Sequence, residues 1–124
     1  MRIMAKPNII LVKSEDFAVR IVNLSKYLMN EKKEFIISKQ IFRSGTSIGA
    51  NVNESRNAQS SSDFINKLNI ALKEADETSY WLRLLMRTNY ITDEQYKSLY
   101  NEVNELISIL CSIIKTSKNN DAKA

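Results

Sequence analysis

Apolar residues recur every three or four positions along four stretches of the chain, the spacing that places side chains on one face of a helix. Phe17, Ile21, Leu24 and Leu28 form the first stripe. Ser14 precedes it as an expected N-cap, with Glu15 and Asp16 in the first turn, where negative charge suits the helix dipole. This pattern ends near Glu31. A second segment, with Ser38 as its expected cap, carries Ile41, Gly45, Ile48, Val52 and Ser55 and runs to about residue 57, on a stripe rich in small residues.

The polar stretch Asn57 to Ser62 separates that segment from the third, for which Ser61 or Ser62 followed by Asp63 is the start signal. Phe64, Leu68, Ala71, Ala75, Thr78, Leu82 and Leu85 then alternate steps of four and three. The pattern predicts a helix of roughly 27 residues, or ~40 Å at about 1.5 Å per residue. Asn89 and Tyr90 make a short connection, and Thr92-Asp93-Glu94-Gln95 has the form of a capping box. The fourth helix follows, with Tyr96, Leu99, Val103, Leu106, Leu110 and Ile113 on one row and Tyr100, Val103, Ile107, Leu110 and Ile114 on a second. Its apolar face is broad, which fits a central place in a bundle or contact with another subunit.

Four amphipathic helices joined by short connections favour antiparallel neighbours, so the predicted fold is all-α, an up-down-up-down four-helix bundle. The bundle is expected over residues 14–117, after an N-terminal extension, residues 1–13, and before a flexible tail, residues 118–124. The polar run from Lys115 onward lacks apolar periodicity and is expected to fray.

Composition narrows the chemistry. The 124 residues contain two glycines, one proline, one cysteine (Cys111) and no histidine. So few turn formers argue against a sandwich or barrel. Without histidine there is no Ser-His-Asp triad or Cys-His pair, and a lone cysteine makes neither a disulfide nor a zinc finger. Glu54, Glu74 and Glu77 lack the histidine three residues on that di-iron bundles use. No catalytic residue, metal or cofactor is expected. No apolar run reaches signal-peptide or membrane-spanning length, so no membrane association and a cytoplasmic location are expected; the Asn-X-Ser triplets at Asn23 and Asn53 are then chance matches.

Net charge is +4, from 18 Lys and Arg against 14 Asp and Glu, a mild bias toward acidic partners. Lys39 and Arg43 lie one turn apart and would project together, with Glu74 and Glu77 as alternative partners for Arg43. Arg83 and Arg87 form a similar pair near the end of the third helix, where dipole capping also explains them. Lys67 shares that helix, with carboxylates intervening. Tyr80 and Trp81 must face different sides. Gly45 and Gly49 should each cost about 1 kcal/mol inside a helix, so a close approach by a neighbouring helix or subunit is expected to offset them.

The run Gln40-Ile41-Phe42-Arg43-Ser44-Gly45-Thr46-Ser47-Ile48-Gly49-Ala50-Asn51-Val52-Asn53-Glu54, with Asp63-Phe64-Ile65 and Ala71 to Thr78, resembles the bacterial four-helix-bundle proteins named after reading frames inside intervening sequences of 23S ribosomal RNA genes. The likeness covers about residues 14 to 114. The accessory variability protein of diversity-generating retroelements is similar. The resemblance implies an antiparallel bundle, a ring of five, no enzymatic activity and, for the retroelement relative, binding to a reverse transcriptase and RNA. It also implies a polar seam of Arg43, Ser47, Asn51, Glu54, Glu74 and Glu77. The resulting expectation is a homo-oligomeric scaffold, pentameric, whose ring multiplies the charge to roughly +20 and attracts RNA or other nucleic acid. Lys39, Arg43, Lys67, Arg83 and Arg87 are the expected contacts. The alternative is an interaction module that binds a single protein partner without nucleic acid.

Overall fold

A computed structural model describes residues 8–123 as four helices: α1 (Ile9–Asn30), α2 (Ile37–Ser55), α3 (Ser61–Arg87) and α4 (Asp93–Lys123). Helices adjacent in sequence pack side by side, and α4 closes against α1 along a shorter line of contact. Arg43 lies beside Glu74 and Glu77 while Glu54 lies beside Lys67, so residue numbers run in opposite directions across the α2–α3 seam. The up-down-up-down bundle is the fold. The predicted stripes supply its core: Phe17, Ile21, Leu28, Ile41, Ile48, Leu82, Val103 and Leu110 have no exposed surface.

Helix ends follow local capping chemistry, and four of them depart from expectation. The Asn8 side chain accepts a hydrogen bond from Ile10 N at 3.2 Å, so α1 begins at Ile9 and not after Ser14. Ile10 thereby joins the core, and Ser14 lies buried inside the helix, its hydroxyl donating to Leu11 O. Residues 9–13 belong to the bundle; residues 1–7 of the expected extension lie outside the described part. Ser38 does not cap α2 either. The buried Glu34 carboxylate does, accepting from the backbone N–H of Ile36, Ile37 and Ser38 at 3.1, 2.9 and 2.7 Å. Three otherwise orphaned donors share one acceptor group, at the helix end where negative charge is favoured.

Ser60, one residue before the expected signal, caps α3 by accepting from Asp63 N, and the helix has the expected 27 residues. Thr92 and Gln95 form the reciprocal capping box: Thr92 Oγ1 accepts from Gln95 N and Gln95 Oε1 from Thr92 N. At the other end α4 continues through the polar run to Lys123, correcting the expected fraying. Ser61 donates to Asp121 at 2.7 Å, tying this last turn to the start of α3. Ala124 lies outside the described residues.

The glycines mark where α1 and α2 come closest. A Cβ on Gly45 would sit 2.7 Å from two carbons of Ile21, and one on Gly49 would sit 3.3 Å from the backbone oxygen of Ser14. The expected close approach is therefore to α1 of the same chain. Ser25 adds a hydrogen bond across this interface, donating to Ser38 O at 3.1 Å.

Candidate functional site

The polar seam forms along the outer edge between α2 and α3. Arg43 reaches both carboxylates of the next helix, pairing with Glu74 at 3.1 Å and with Glu77. Glu77 also accepts from Trp81 Nε1 at 2.9 Å, which fixes the partly buried indole while Tyr80 turns outward. The two rings meet edge to face, 5.0 Å apart. Ser47 and Asn51 bond back to their own helix, Ser47 donating to Arg43 O and Asn51 to Ser47 O. Glu54 takes Lys67 as its partner at 3.1 Å. Beneath the ion pairs the hydroxyls of Ser44 and Thr78, fully buried, lie 2.9 Å apart and share a hydrogen bond.

These contacts divide the five candidate cations. Arg43 and Lys67 are held by carboxylates of the same chain, and Lys67 lies near the opposite end of the bundle from Arg83 and Arg87. Lys39 is exposed in the first turn of α2. Arg83 places its guanidinium 5.8 Å from the centre of the Tyr80 ring, and Arg87 is exposed in the last turn of α3. The structure does not gather all five on one surface. It gathers Lys39, Arg83 and Arg87 at the end that holds the α1–α2 and α3–α4 connections.

That end also contains residues the periodicity did not single out. In the α1–α2 connection Lys32 lies 5.9 Å over the Tyr27 ring, and Lys33 adopts a positive φ of 54°. Phe35 and Ile36 follow and are 50% and 77% exposed. The signal was present as two lysines and three successive apolar residues, Phe35 to Ile37, in what reads as a short link.

Elsewhere the surface offers shallow clefts. One, about 360 Å³, lies where Ser60, Ser61 and Phe64 meet Ser117 and Asp121. No group of three metal-ligating side chains is present among the described residues. No described helix is long and apolar enough to cross a membrane.

A short-looped antiparallel bundle with buried hydroxyls and an ion-paired α2–α3 seam defines a small all-α four-helix-bundle protein by class. The chain belongs to the family described as 23S rRNA-intervening sequence protein, which matches residues 6–112. It is also similar to a crystal structure of a protein of unknown function from the S23 ribosomal protein family of Bacteroides thetaiotaomicron VPI-5482. The two are 66% identical, with a TM-score of 0.86 over 87% of this chain and 96% of that one. No protein with a curated description matches.

Proposed function

We propose that this chain is a non-enzymatic cytoplasmic scaffold that assembles with copies of itself, as a ring of five, and holds RNA on the assembled surface. The observation that carries the assembly is on α1. Ile9, Val12 and Val19 project from its outward face, each about half exposed, where a helix serving one bundle alone would be polar. Beside them a cleft of about 220 Å³ runs between Leu11, Ala18, Gly49 and Ala50, thin enough for another helix to approach. A scaffolding role is supported by the seam itself. Its charged groups are engaged with one another, the condition of a cluster that holds structure in place.

The RNA part rests on the net charge of +4, which a ring repeats around its axis. The resemblance to the retroelement accessory protein supports the same reading. Light scattering on the full chain measures the assembly directly. A mass of several protomers is expected, and a monomer at micromolar concentration rejects the ring. The outward α1 stripe also favours a second reading, a module that docks one different protein. That reading expects the monomer, together with no RNA binding at low salt.

A further inference from the structure

We infer that the connection end of the bundle is a docking surface for unpaired, single-stranded RNA, formed by cations without carboxylate partners set among exposed rings. This rests on the RNA reading above and gives it a place. Lys26, Lys32, Lys33 and Lys39 around the α1–α2 connection join Arg83 and Arg87 at the end of α3. None of these six takes part in an ion pair among the described residues, whereas Lys13, Arg20, Arg43 and Lys67 on the helix sides do; the other cations without one, Arg56, Lys73, Lys97 and the lysines of the last turns of α4, are spread along the rest of the bundle and the α4 corner. The carboxylates beside them on these elements are Glu31 and Glu34, and Glu34 is buried as the cap of α2. With Asp93, Glu94 and Lys97 of the α4 corner counted, the surplus here is +3, against +4 for the whole chain. Asp93 and Glu94, with Lys97, bound the surface at the α4 corner.

Dipole capping does not explain this concentration. α3 has Arg87 in its last turn, but the last turn of α1 has no basic residue; Lys32 and Lys33 lie beyond the helix end. The same end holds four of the eight large apolar side chains exposed among the described residues: Tyr27, Phe35, Ile36 and Tyr80. Both cation–ring contacts, Lys32 on Tyr27 and Arg83 on Tyr80, are here. Cations alone would follow any polyanion. Rings interleaved with them need flat partners, and bases present their faces only when unstacked from a duplex.

The test is anisotropy of a labelled oligouridine of about twenty nucleotides, titrated with the full chain at about 50 and about 200 mM salt. The triple variant Lys32→Ser, Lys33→Asn, Lys39→Ser should weaken binding roughly ten-fold or more and flatten the salt slope by about two. Asparagine is chosen at 33 because it tolerates positive φ. Phe35→Ala and Tyr80→Ala should each weaken binding about five-fold or more. Lys115→Ser, Lys118→Ser, Lys123→Ser removes the same charge from the far end and should leave affinity within about two-fold. Helix content and assembled mass equal to wild type establish that each variant is folded. If wild type binds and the two triple variants lose equally, this location is wrong while the RNA reading stands. Ring variants that bind as wild type does, or a duplex bound as tightly as the single strand, overturn the stacking surface. Wild type that binds nothing at the lower salt overturns both, and leaves the exposed rings as a protein-docking face.

Discussion

The α2–α3 seam and the connection end use the same residue types in opposite ways. Along the seam each cation finds a carboxylate one helix away, Arg43 with Glu74 and Glu77, Lys67 with Glu54. At the end, Lys32, Lys33, Lys39 and Arg87 extend from connections and terminal turns and form no ion pair with Glu31, Asp93 or Glu94 nearby. Exposed ion pairs add little stability, about 0–1 kcal/mol, but they cancel the field that would draw in a polyanion. Cations left without partners add nothing to the bundle and retain that field. Position relative to a neighbouring helix therefore separates the charges that hold the fold from those available to a ligand.

Substitutions along the packed sides should act on stability alone, and those at the connection end should act on RNA binding as well. The largest effect is expected at the close-packed side. Gly45→Val would push a branched side chain into Ile21, already 2.7 Å from where a Cβ would stand, and should cost about 1–3 kcal/mol or more in a urea titration. RNA affinity of the protein that remains folded should not change.

Glu34→Ala joins the two regions, since its carboxylate both caps α2 and lies among the free cations. Losing an acceptor for three backbone N–H groups should cost about 1–2 kcal/mol of stability. With a negative charge gone, RNA should bind more tightly. Affinity falling together with stability would mean that the connection end is not the docking surface.

Arg43→Ala should lower stability by about 0.5–1 kcal/mol, because Glu74 and Glu77 lose a shared partner that is itself half exposed. Trp81 fluorescence should report the change, as its indole N–H is held by Glu77. The smallest effect is expected at Lys33. Glycine relieves its positive φ, so Lys33→Gly should raise stability by about 0.5 kcal/mol while weakening RNA binding.

The four apolar stripes were legible because burial imposes a period that local sequence displays directly. The Thr92–Gln95 box was legible for the same reason, as both partners are three residues apart. Helix starts were harder to place. Ser14 and Ser38 look like caps, yet a hydroxyl inside a helix bonds back to its own turn just as readily, as Ser14 does to Leu11 and Ser38 to Glu34. Asn8 and Glu34 compete for the same role and prevail because they let Ile10 reach the core and satisfy three donors at once. The end of α4 was missed because its last turns are polar and gain their tertiary contact through Ser61 and Asp121, far apart in the chain.

Of the candidate contacts, the Arg43 pairing was foreseen as an alternative, since Glu74 and Glu77 recur on one face of α3. The division between engaged and free cations was not readable. It depends on the register between helices, which places Glu54 opposite Lys67 and no carboxylate opposite Lys39.

The salt dependence of RNA binding in a charge-neutral seam variant addresses the division between holding and binding charges most directly. Arg43→Gln with Glu77→Gln, combined with Lys67→Gln and Glu54→Gln, removes two cations and two anions and leaves the net charge unaltered. The slope of log affinity against log salt should stay at its wild-type value while the Tm falls. A slope flatter by about 1.4, the loss of two phosphate contacts on a single strand, would show that the seam cations bind RNA and would contradict the division.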